Sequence, residues 1–101
     1  MGKGIFAAYS NPVSADAEEE FNTWYNEVHL KELLAIPGVV SARRYRLDEV
    51  NPAAPEHRYM TLYELDTDPG TLLAALGAGQ LTSTDTMDNA GAKFAFWVPV
   101  D

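Results

Sequence analysis

Apolar and polar positions change period along the chain, and each change predicts an element. A short apolar run over residues 5–9 stops at Ser10-Asn11-Pro12, which predicts a first strand. From Ser14 or Asp16, either of which suits an N-cap, to Ile36 the pattern is helical. Glu18, Glu19 and Glu20 fall in its first turns, where the helix dipole favours negative charge. Phe21, Trp24, Tyr25 and Val28 stand at i, i+3, i+4 and i+7 and form one apolar stripe. The stripe does not continue. At ~100° per residue Glu32 would lie in its centre, while Leu30 and Leu34 would lie far from it. A kink or break near His29 is therefore expected, with a short second helix ended by Pro37-Gly38.

Residues 39–47 and 57–65 read as strands, separated by a loop over 48–55 too rich in proline for either regular structure. Asp68-Pro69 opens another helix with an N-cap and a proline at N1, running through Leu72, Leu73 and Leu76 toward Gly77. Residues 81–89 are weakly helical at best, and 93–100 form a final strand rich in aromatic and β-branched side chains. The order is βαββαβ. It predicts an α+β, ferredoxin-like domain over residues 1–101, with a four-stranded antiparallel sheet and helices on one face. A doubly wound sheet is excluded by strand number and by a Gly77-x-Gly79 that follows a helix, not a strand.

The strands have two faces to cover. Val39, Ser41, Arg43, Tyr45 and Leu47 oppose Val40, Ala42, Arg44 and Arg46 in the second strand. His57, Tyr59, Thr61, Tyr63 and Leu65 oppose Arg58, Met60, Leu62 and Glu64 in the third. Phe94, Phe96, Val98 and Val100 oppose Ala95 and Trp97 in the fourth. Neither set is uniformly polar, and helices can cover only one face. A homodimer joined through its sheets is the expected remedy.

Charge and composition narrow the partners. Fifteen acids against seven bases leave a net charge of −8, so nucleic acid and anionic membrane surfaces are not expected partners. No apolar run approaches the ~20 residues of a membrane span. The start Met1-Gly2-Lys3-Gly4-Ile5-Phe6 resembles neither a secretory leader nor an acylation signal, so a cytoplasmic location is expected. Zero cysteines exclude disulfides, iron–sulfur clusters, thiolate zinc and thiol nucleophiles. With only His29 and His57 and no ligand spacing, no metal site is expected.

Glu20-Phe21-Asn22-Thr23-Trp24-Tyr25-Asn26-Glu27-Val28-His29-Leu30, then Ile36-Pro37-Gly38-Val39 and Ser41-Ala42-Arg43-Arg44-Tyr45, resembles the EthD-like branch of the dimeric α/β-barrel superfamily. Its marks are an aromatic pair, a histidine four or five residues on, and an apolar-Pro-Gly step into strand two. The likeness is dense over residues 20–46, extends to Tyr63-Glu64-Leu65 and fades after about residue 77. Lys31 stands where the family often has proline. The resemblance implies two sheets pairing into a dimeric barrel. The haem enzymes of that superfamily usually take their axial ligand from the later helix, which here has no histidine, so no cofactor is expected.

His29 is the candidate catalytic residue. It lies about 80° from Phe21 and about 40° from Tyr25 on the wheel, on the flank of the buried stripe, and imidazole titrates near neutrality. The plainer alternative is a half-buried histidine bonded to a backbone carbonyl. Trp24, Tyr25, Tyr59, Tyr63 and Trp97 supply flat surfaces with polar tips for a small-molecule ligand, although core packing accounts better for Trp24 and Phe21. Arg43, Arg44, Arg46 and Arg58 are four of the seven bases, all on the middle strands. Pairing with the acidic helix face explains them best, with Arg43 the exception, placed beside Tyr45 to orient a carboxylate or phenolate.

Together these features suggest a cofactor-independent enzyme of cyclase, isomerase or monooxygenase type. It would act on a cyclic or aromatic metabolite, with His29 as acid/base. The competing readings are a binding or accessory module for a hydrophobic metabolite or a larger oxidase, and a purely structural dimer.

Overall fold

Residues 4–53, 55–79 and 81–100 are described by a computed structural model. Met1 to Lys3, which bear on the leader and acylation expectations, and Ala54 of the proline-rich loop lie outside them. The chain runs β1 (Gly4–Ser10), α1 (Glu18–Trp24), a π-helical turn (Tyr25–His29), α2 (Leu30–Leu34), β2 (Val39–Arg46), β3 (Tyr59–Leu65), α3 (Pro69–Ala78) and β4 (Lys93–Trp97). The strands form one antiparallel sheet in the order β2-β3-β1-β4. This α+β architecture is compatible with a ferredoxin-like fold.

Register assigns the two faces. Phe6 pairs with Tyr63 and with Phe96, and Ala42 pairs with Tyr63, so these side chains share a face. Phe6 stacks on both Tyr63 (5.3 Å) and Phe96 (5.0 Å). Leu33 of α2 and Leu72 of α3 close over Phe6, Tyr63, Leu65 and Val39, so the helices cover this face. A second buried cluster, Phe21, Tyr25 and Tyr59, joins α1 to the same face of the sheet. Ile5, Ala7, Tyr9, Met60, Leu62, Ala95 and Trp97 lie on the other, open face.

Several boundaries differ from those expected. α1 begins at Glu18 with Ala17 at the cap, because Ser14 is used one turn earlier, its Oγ accepting from the Ala17 amide at 3.3 Å. The three glutamates of the first turn are in place. The stripe also fails at Val28, which is exposed. Its break is the π-turn. One extra residue in the turn rotates everything after it by ~100°, which shifts the inward positions by one, from 28 and 32 to 29 and 33. Leu33 is buried and Leu30 packs against both clusters.

Val39 leaves the parity expected for β2. It pairs with Leu65 while Ser41 pairs with the adjacent Glu64, so Val40 is an extra residue in a β-bulge. Val39 therefore joins the core, and Ser41, Arg43 and Tyr45 take the open face. Gly38, ahead of it, has φ +102°, where a Cβ would sit 2.5 Å from Thr67 Cγ2. β4 stops at Trp97, opposite Ile5 near the start of β1, and Pro99 has no amide to continue the ladder. β3 starts at Tyr59, because the Arg58 amide donates instead to Asn11 Oδ1 at 2.7 Å, and the His57 imidazole meets the Gly91 carbonyl at 2.7 Å.

Residues 81–92 form no helix up to β4. They run as a strap beside the end of β1, with a bridge between Pro12 and Met87 and bonds from the Val13 amide to Thr86 (2.8 Å) and the Asp88 amide to Asn11 (2.9 Å). Met87 thereby packs against Phe21, Tyr25 and Tyr59. Glu32 ties the strap to the helix by accepting from the Thr82 amide at 3.1 Å.

Candidate functional site between helix and sheet

The π-turn places Trp24, Tyr25 and His29 in one aromatic group. The His29 ring stacks on Trp24 at 4.8 Å and meets Tyr25 edge-on at 4.9 Å. Its Nδ1 is 3.7 Å from Glu32 Oε1, too far for a hydrogen bond, and this buried nitrogen has no partner. Burial holds the imidazole below its ordinary value, against the raising influence of Glu32 and with help from Arg44. His29 is consequently neutral at pH 7. π-helical turns of this kind concentrate at functional sites.

Arg44 reaches into the same group from β2. Its guanidinium carbon lies 4.4 Å from the Tyr25 ring centre, 5.2 Å from Tyr59 and 5.5 Å from Phe21. Nη2 donates to Asn22 Oδ1 (2.8 Å) and Nη1 to Asn26 Oδ1 (3.0 Å), whereas the buried Nε has no partner. The Tyr59 hydroxyl donates to Glu18 and accepts from Asn22 Nδ2 at 3.2 Å. Tyr63 is fully buried, and its hydroxyl, near the side chains of Tyr25 and Thr61, meets neither in hydrogen-bond geometry. Burial first, and the neighbouring Tyr25 second, push the Tyr63 phenol upward against the opposing pull of Arg44, so it stays protonated.

The expected site residues thus divide between two faces. Trp24, Tyr25, His29, Tyr59 and Tyr63 come together between helix and sheet. Arg43, Tyr45 and Trp97 lie on the open face, where they line clefts with other residues. One cleft of about 580 Å³ is bounded by Ile5, Arg43, Leu62 and Trp97, and another of about 720 Å³ by Tyr9, Tyr45, His57 and Lys93. His57 is anchored there by Gly91, and Glu56 pairs with Lys93 at 3.2 Å.

Arg44 replaces Arg43 as the cation of the helix-side group. Of the expected pairing of Arg44, Arg46 and Arg58 with acids, across strands or between subunits, the part within the chain is not found: among the described residues no arginine has a carboxylate within 4.0 Å. Asn22 and Asn26, one helical turn apart beside the aromatic stripe, are the sequence signal for a guanidinium here. Among the described residues no group of three or more histidines and carboxylates could hold a metal ion, and no helix is long and apolar enough to cross a membrane. Compared with known protein families, curated proteins and solved structures, the chain matches none.

Proposed function

We propose that this chain is a cofactor-independent enzyme of the EthD-like kind, acting on a cyclic or aromatic metabolite with His29 as its acid/base. One observation carries the reading. His29 Nδ1, Arg44 Nε and the Tyr63 hydroxyl are three buried polar atoms without partners, grouped about the ring of Tyr25. Each unpaired buried group costs ~1–3 kcal/mol, which a substrate oxygen or acidic C–H placed among them would offset. A neutral imidazole can take a proton beside a carbonyl and return it elsewhere, while Arg44 Nε–H and the Tyr63 hydroxyl steady the oxygen. Cyclisation and isomerisation need no more than this; a monooxygenase would also draw on dioxygen as co-substrate.

The same reading has two chains joined through their open faces as a cytoplasmic homodimer. Exposed Ile5 and Tyr45 on that face, with Trp97 57% exposed beside Ile5, support it. The test of catalysis is solvent-deuterium uptake by a cyclic 1,3-diketone, followed by NMR with the full chain. His29→Ala is expected to lower the rate ~10²–10⁴-fold. An equal rate in the variant would remove His29 from the chemistry. Binding of the probe without any exchange would assign the chain as a binding module instead.

A further inference from the structure

The Arg44 guanidinium is a partly buried cation whose partners are all uncharged. Its two bonded nitrogens meet the amide oxygens of Asn22 and Asn26, and its faces meet aromatic rings. Among the described residues no carboxylate lies within 4.0 Å of it. Acid is not scarce, since the chain has fifteen acidic residues against seven basic ones. Glu18, which enters the same network, is bonded to the Tyr59 hydroxyl and not to the guanidinium. Burying a cation without a counter-charge is costly, and cation–π contact lowers that cost without neutralising the charge.

A clamp between β2 and α1 accounts for the two asparagine bonds. It accounts for neither the idle Nε–H nor the missing counter-charge. Two of the idle groups, Arg44 Nε–H and the Tyr63 hydroxyl, can donate, and both are buried. Two donors and an uncompensated positive charge fit one acceptor, an anionic oxygen.

Resting on the enzyme reading above, we infer that the metabolite is an anion, its carboxylate or enolate oxygen held by Arg44 Nε and the Tyr63 hydroxyl. Arg44 is then the residue that selects charge.

Benzoate and its neutral counterpart benzamide test this on the full chain, with affinity from titration calorimetry and location from the His29 ring-proton resonance. Benzoate is expected to bind about tenfold to a hundredfold more tightly, the range of a charge-assisted bond, and to shift the His29 resonance. Arg44→Gln removes that preference and Arg44→Lys restores part of it, while Arg43→Gln on the opposite face leaves it intact. Equal affinity of the two probes near His29 overturns the anion inference and leaves the enzyme reading standing. A preference that persists in Arg44→Gln overturns the assignment to Arg44. If neither probe disturbs the His29 resonance, the site itself is wrong and both fall. Should Arg44→Gln fail to fold, the two-probe comparison on the wild type still decides.

Discussion

A hydroxyl with no partner destabilises the protein that carries it, and Tyr63 has one at the centre of the sheet. Tyr63→Phe removes that group and leaves the ring stacked on Phe6, so unfolding in urea is expected to show equal or greater stability, by up to ~1 kcal/mol. A loss beyond ~1 kcal/mol would mean the hydroxyl is bonded after all. His29 makes a pH argument at the same scale. Its folded value is held below 6.5 by burial, so the unfolded chain takes up the proton first as pH falls. The stability tied to a neutral His29 is therefore present above pH 6.5 and is lost as pH drops through the lower folded value. Melting curves across that window should fall more steeply for the wild type than for His29→Gln, and parallel slopes would detach His29 from the effect. The positions of His29 and Tyr25 follow from residue type and helical phase, and that of Tyr63 from strand parity. Arg44 was not legible in this way, because choosing between Arg43 and Arg44 requires the pairing of β2 with β3, which no single strand encodes.

Periodicity located the interruption in the long helix, but its cause lay in backbone geometry. Glu32 and Val28 fell on the wrong sides of an ideal wheel, and the π-turn over Tyr25–His29 reconciles them. Removing exposed Val28 would return Phe21, Tyr25, Leu30 and Leu33 to an uninterrupted α-helical stripe. That deletion is expected to leave the far-ultraviolet circular dichroism unchanged and the melting temperature equal or higher. A lower melting temperature would show that the wide turn is itself needed for packing. The strap at 81–92 was illegible for a different reason. Its order comes from single long-range bonds, such as Thr82 to Glu32 and Val13 to Thr86, and such bonds leave no periodic trace.

Element order was readable from end to end, and with it the α+β class and the one-sided helices. The open face is where the proposed second chain would sit. Ile5, Leu62 and Trp97 line an apolar cleft there, while the helices cover the other side. Light scattering at micromolar concentration is expected to give the mass of two chains, and Leu62→Lys to give the mass of one. A wild-type monomer, or a dimer indifferent to Leu62→Lys, would refute pairing through this face.

The extra residue at Val40 also bears on how the sheet meets a stray polypeptide. β2 is a border strand, and the bulge bends it where a straight newcomer would need an even row of amides and carbonyls. Arg43 and Arg46 add repulsion against any second copy of the same border laid beside it. The opposite border, β4, is five residues long and is followed by Pro99, so it gives a newcomer little length to grip. Strand-by-strand growth into fibrils is thus discouraged at both margins of the sheet.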